Sequence, residues 1–184
     1  MADRNSLRTV SRFVTGHNKA DGTSVFQTDV GSSPPVRQLP DGVQIFDCYM
    51  TQGFPIDVGG ESDIRAYERL IHNPPGIVVP NGSAARIVDI PPAYTSPMHR
   101  SMSLNYNFVI EGEVDVLLDS GATRSLRRGD VLVQRAINHA WRNRSETEWA
   151  RITAVVLPVQ DIQVGSTGLQ ASREYEAQQV QKDP

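Results

Sequence analysis

Two histidines, His99 and His139, are the residues of this 184-residue chain best suited by type and position to do chemistry. An imidazole near its ordinary pKa of about 6.5 gives or takes a proton close to neutral pH, and in its neutral form it also binds metals. His99 stands where a loop becomes a strand, and His139 follows the strand-like GDVLVQ after a short turn. Two strands forty residues apart, each opening on a histidine, can meet across one small barrel. The alternative is a pair of buried, hydrogen-bonded histidines with no chemical role. The remaining two, His17 in TGHNKADG and His72 before Asn-Pro-Pro, lie in loop-like segments, where a histidine is usually solvated.

Strand signals dominate the segment that has to position the pair. Short apolar–polar alternations separated by Gly, Pro and Asp run from 84 to 158: 85–90 (ARIVDI), two strands within 106–118 joined through Glu111-Gly112, then 123–126, 131–134, 139–143 and 150–157. Such spacing, with Asp119-Ser120-Gly121 and Arg128-Gly129-Asp130 as turns, predicts an antiparallel sandwich or barrel. Upstream, 10–14, 24–28 and 44–50 read as strands that extend or cover the sheet. The segments 31–40 and 72–82 read as proline-broken loops. Residues 63–71 (DIRAYERLI) predict a short helix capped by Ser62 or Asp63. The polar stretch 172–181 is left as a helix or disordered.

Composition narrows the function. Net charge is −3, with 18 Lys+Arg against 21 Asp+Glu and no basic block, so nucleic acid and anionic membrane surfaces are not expected partners. No apolar run reaches the ~18 residues of a membrane span, and residues 1–17 lack the apolar stretch of a signal peptide. A lone Cys48 excludes an intramolecular disulfide and a CxxC site. The expectation is a cytoplasmic protein whose partner is a small-molecule substrate. Strands before Pro34 are expected to pair with a second copy, giving a homodimer.

PMHRSMSLNYNFVIEGEVDV resembles the first cupin motif, and GDVLVQRAINHAWRN resembles the second. The resemblance implies an all-β, single-domain cupin: a double-stranded β-helix, or jelly-roll barrel, open at one end with both motifs lining its mouth. The match spans 84–158. Residues 1–83 then supply strands and loops packed on the barrel, and 159–184 a C-terminal tail or short helix. RxVTGHxxxGxSVF, MHR and QRxxNHAWRN are similar to a branch of single-domain cupins found beside fungal and bacterial biosynthetic enzymes. Its members are associated with tailoring of polyketides and related small molecules.

The family's metal pattern is His-x-His, a Glu and a distant His. His99 matches the first position and His139 the last, but Ser101 and Asn105 occupy the other two. A non-haem iron site needs about two histidines and a carboxylate, and catalytic zinc usually three protein ligands. No metal cofactor is therefore expected. Should a divalent Fe, Zn or Mn bind after all, His99 and His139 would hold it, with Glu111, Glu113 or Asp57 as the carboxylates within reach.

Without a metal, the pair can deprotonate carbon beside a carbonyl and return the proton elsewhere or expel a hydroxyl. Ser101 and Asn105 can donate to a developing enolate oxygen. Strand alternation turns Asn105, Asn107 and Val109 inward and Tyr106 and Phe108 outward; from His139 it turns Trp141 and Asn143 inward and Arg142 outward. Trp141 either stacks on a planar ligand or fills the barrel. Arg100 and Arg135 either hold a substrate carboxylate or phenolate or make surface ion pairs. Met98 and Met102 either line an apolar pocket or belong to the core. Three functions compete: a metal-independent isomerase, dehydratase or cyclase; a metal-dependent oxygenase or decarboxylase; and a non-catalytic binder of a small molecule.

Overall fold

The computed structural model describes residues 6–171. In chain order its elements are β1 (Thr15–His17), β2 (Ser24–Phe26), β3 (Val36–Gln38), β4 (Gln44–Gln52), α1 (Ser62–His72), β5 (Gly82–Ile90), β6 (His99–Arg100), β7 (Ser103–Glu111), β8 (Glu113–Leu118), β9 (Thr123–Arg127), β10 (Val131–Arg135), β11 (Asn138–Arg142) and β12 (Ala150–Pro158). A small hairpin, β13 (Gln163–Val164) with β14 (Thr167–Gly168), follows. Two antiparallel sheets make the barrel, one ordered β10-β7-β12-β5-β4-β3 and the other β6-β11-β8-β9. No helix among the described residues is long and apolar enough to cross a membrane.

Period-two alternation decides which side chains face the interior. On β7, Ser103, Asn105, Asn107 and Val109 are buried, while Tyr106, Phe108 and Ile110 are exposed. Cross-strand partners share a face, so the six-stranded sheet presents three inward rows. One runs Gln134, Asn105, Val156, Ala84, Met50. The next runs Leu132, Asn107, Ala154, Arg86, Asp47, and the third Val109, Ile152, Val88, Ile45, Arg37. Between β7 and β8 the chain turns at Gly112, whose φ of 74° is open to glycine, and whose Cβ, were there one, would lie 3.2 Å from Ala150.

Three features differ from expectation. Residues 10–14 form no ladder; the Arg12 side chain ties this stretch to the carbonyls of Gly31 and Cys48 and to the Tyr67 hydroxyl. Neither Ser62 nor Asp63 caps α1. Ser62 Oγ is engaged by Asp57, Asp63 accepts from the Tyr49 hydroxyl, and Glu61 takes the cap position in left-handed conformation with no side-chain cap bond. β1 and β2 pair with each other as a separate hairpin and do not extend the barrel sheet. The expected helix or disordered stretch at 172–181 lies outside the described residues.

Ile64 and Tyr67 of α1 join Met50, Val79, Ala84 and Val156 in one core, and Ile90, Val109, Val114, Trp141 and Ile152 form a second. Asn143 stitches the strand ends together: its Nδ2 donates to the carbonyls of Ile90, Pro91 and Glu148, and its Oδ1 accepts from the Ser145 amide. Buried groups that lose such partners cost about 1–3 kcal/mol each. Asn143→Ala is expected to lower unfolding stability by about 2–4 kcal/mol in urea titrations. A change under about 0.5 kcal/mol would show that water replaces the side chain.

Candidate active site

His99 and His139 face each other because their strands pair. β6 and β11 are antiparallel, with His139 opposite His99, and the ring centroids lie 4.3 Å apart. Each ring is fixed by the same local device. His99 Nδ1 lies 2.9 Å from the Pro97 carbonyl, and His139 Nδ1 lies 3.1 Å from the Ile137 carbonyl. A carbonyl only accepts, so Nδ1 carries the proton in both rings and the basic lone pair of each neutral imidazole sits on Nε2. Burial holds the pKa of His99 below its ordinary value. Burial, followed by repulsion from His99, pushes His139 down to about 4. Both rings are thus neutral at pH 7.

The pair borders a cavity of about 100 Å³ that lies between the two sheets. Ser101, Asn105, Asn107 and Trp141 line it with the histidines. The Trp141 ring meets His139 edge-on at 6.2 Å, and its backbone is held in register by Ser96, whose Oγ accepts from the Trp141 amide. Arg100 and Arg135 do not line this cavity. They follow His99 and Gln134 directly on their strands, so alternation turns them outward, where both border a separate hollow of about 760 Å³ beside β13 and β14. Met98 and Met102, half-buried, line neither space.

The lining residues outside the candidates picked from sequence include two guanidinium groups and an amide: Arg37, Arg86 and Gln134. Gln134 faces Asn105 across β10 and β7, and its Oε1 accepts from Asn107 Nδ2 at 2.6 Å and Asn105 Nδ2 at 3.4 Å. Gln134 Nε2 and Asn105 Oδ1 are left buried with no protein partner, on side chains only 2% and 8% exposed. Asn107 Nδ2 also lies 3.5 Å from the Leu132 carbonyl, which only accepts, so the amide orientation is the one that leaves a donor on Gln134 and an acceptor on Asn105. Arg37 and Arg86 both pair with Asp47, at 2.8 Å each.

The donor set does not suit a resident metal ion. Among the described residues no group of three His, Cys, Asp or Glu converges. Asn105 and Ser101 offer only neutral oxygen. The carboxylates that sequence left within reach are engaged elsewhere: Asp57 by Gly59 and Ser62, Glu111 by Arg128, Glu113 by Arg127 and Arg144.

No family model matches the sequence. Phomopsin biosynthesis cluster protein D of Diaporthe leptostromiformis is 44% identical over 169 residues, covering 89% of each chain. The cupin-domain-containing oxidoreductase virC of Hypocrea virens is 41% identical over 138 residues, covering 74% of this chain and 69% of its own. Among solved structures, the Cnp3 cupin domain of Schizosaccharomyces pombe superposes with a TM-score of 0.49 at 12% identity, over 83% of this chain and 90% of that one.

The buried imidazoles set an acid limit on stability. A histidine whose pKa is about 4 folded and about 6.5 unfolded binds fewer protons folded than unfolded throughout that interval. Stability therefore rises with pH across it, is complete above about 6.5 and declines on acidification toward about 4. Denaturant unfolding between those limits is expected to show a shallower pH slope in His139→Gln than in the wild type. An unchanged slope would place the acid sensitivity elsewhere.

Proposed function

Because this chain belongs to the cupin-domain proteins of fungal biosynthesis clusters, we propose that it is a small-molecule tailoring enzyme whose His99 and His139 move protons on a polyketide-like carbonyl compound. The observation that carries this reading is the pair of neutral imidazoles, both with Nδ1–H tied to a backbone carbonyl and with Nε2 as the basic atom, at the wall of a cavity that no acid among the described residues lines. Nε2 of one ring takes a proton from carbon beside the carbonyl, and the C–H electron pair moves into the carbonyl oxygen as an enolate. The Gln134 amide N–H or the Ser101 hydroxyl donates to that oxygen. The imidazolium then returns its proton to a different carbon, giving isomerisation, or to a departing hydroxyl, giving dehydration. Cyclisation follows when the enolate carbon instead attacks a second carbonyl of the same molecule. General acid–base help of this kind is worth roughly 10²–10⁴ in rate.

Deuterium exchange into a panel of oxo acids in D₂O, followed by proton NMR, reads the first step directly. His99→Ala and His139→Ala are each expected to slow exchange by about 10²–10⁴-fold, and EDTA treatment is expected to leave the rate unchanged. The relative virC is named an oxidoreductase, which favours a second reading, redox chemistry, assumed to be metal-dependent. Loss of activity on chelation, restored by one divalent metal, would favour it and sink the first.

A further inference from the structure

The cavity holds more positive than negative charge. Arg37 and Arg86 both line it, and the single Asp47 carboxylate receives both guanidinium groups. No Asp or Glu among the described residues lines the cavity. Arg86 is buried and directs its terminal nitrogens to the carbonyls of Ile77 and Gly76. Arg37 is placed differently. It gives Nε and Nη2 to Asp47, at 2.8 and 3.2 Å, which leaves Nη1 without a hydrogen-bond partner among the described residues. Its side chain is 26% exposed, so it stands at the rim of the cavity with a cationic donor to spare.

The inward rows locate this group relative to the histidines. The loops joining β6 to β7 and β10 to β11 are two residues each, Ser101-Met102 and Ala136-Ile137. They hold the histidine strands beside Asn105 and Gln134. Asp47, which anchors Arg37, sits on β4, three strands from Asn107 on β7, or roughly 14 Å at 4.8 Å per strand. Between them the same sheet offers Ala154, Ile152 and Val88, and Trp141 adds an aromatic wall. The site thus reads as a hydrogen-bonding, basic end, an apolar middle and a cationic end.

We propose that the substrate is an amphipathic organic acid: its carboxylate is held by Arg37, its apolar body lies along Val88, Ile152, Ala154 and Trp141, and its oxygen function opposite the histidines is met by the open amide groups of Gln134 and Asn105. A carboxylate at Arg37 gains a charge-assisted bond, about twice as strong as a neutral one. Arg37 is thus a specificity residue remote from the reacting carbon. This rests on the proposed function only in taking the histidine end as the reacting end; anion binding at Arg37 stands or falls without turnover.

The test is binding, by titration calorimetry, of 3-phenylpropionate and hexanoate against their methyl esters. Each acid is expected to bind the wild type at least about tenfold more tightly than its ester, the equivalent of a charge-assisted hydrogen bond. In Arg37→Gln, and in Arg37→Met should the first variant fold poorly, that preference is expected to vanish while ester binding stays unchanged. Equal affinity of acid and ester for the wild type, or no acid binding up to about 10 mM, overturns the proposal irrespective of how either variant folds. So does a preference that survives both substitutions. Acid binding without deuterium exchange would retain the anion site and reject the proton-transfer reading.

Discussion

The site depends on one short ladder. β6 contributes only His99 and Arg100 to the four-stranded sheet, yet its pairing with β11 sets His99 directly opposite His139. Two residues of β-structure make a weak element by themselves, since lone hairpins are marginal in water. Flanking contacts reinforce it: the Ser96 amide donates to the Trp141 carbonyl, Ser96 Oγ accepts from the Trp141 amide, and Thr95 bridges to Arg142. The bond from each Nδ1 to the carbonyl two residues earlier then sets ring orientation and tautomer together. Any change that frees either carbonyl releases the position of the proton as well as the position of the ring.

The larger sheet serves a different end. Its inward rows are polar at Gln134, Asn105 and Asn107 on one side of the cavity and at Arg86 and Arg37, both held by Asp47, on the other. Buried charge of this kind survives only when paired, and Asp47 pairs with two guanidinium groups at once. The bulge in β4 between Asp47 and Tyr49 helps to place it. One extra residue there lets Asp47 lie opposite Arg86 on the inner face while Tyr49 turns to stack on Tyr67 of α1. The helix and the cationic end of the cavity are therefore linked through Asp47 and Tyr49, on either side of Cys48 in one strand.

Much of this was legible in the chain, and what escaped did so for physical reasons. The strands from 84 to 158 alternate strictly enough that Asn105 and Asn107 could be assigned to the inside and Tyr106 and Phe108 to the outside, as observed. The same parity, applied one residue on from His99 and from Gln134, would have turned Arg100 and Arg135 away from the cavity. Gln134 also had a signal: in VLVQR, Leu132 and Gln134 share a face, and an amide on the inner face of a barrel strand needs an explanation. Arg37 had none. It lies on an edge strand of three residues, and it enters the cavity only because β3 pairs with β4 and β4 with β5, registers that no local pattern reveals. The cap of α1 was misread because Ser62 and Asp63, both good capping types, are held by Asp57 and Tyr49.

Burial makes the imidazoles neutral but also weak bases, which is a poor start for removing a proton near pH 7. In the proposed reaction the cavity would offset this through what it creates at the same moment. Were Nε2 to take a proton, an imidazolium and an enolate would stand side by side in a space walled by Ile152, Val156 and Trp141. Attraction between opposite charges is several-fold larger there than in water, so the environment that disfavours a lone imidazolium favours the ion pair. Open amide groups at Gln134 and Asn105 add fixed dipoles that need no reorganisation. Under the two proposals, affinity gathered far from the reacting carbon, at Arg37, would let this end of the cavity be complementary to the transition state rather than to the resting substrate.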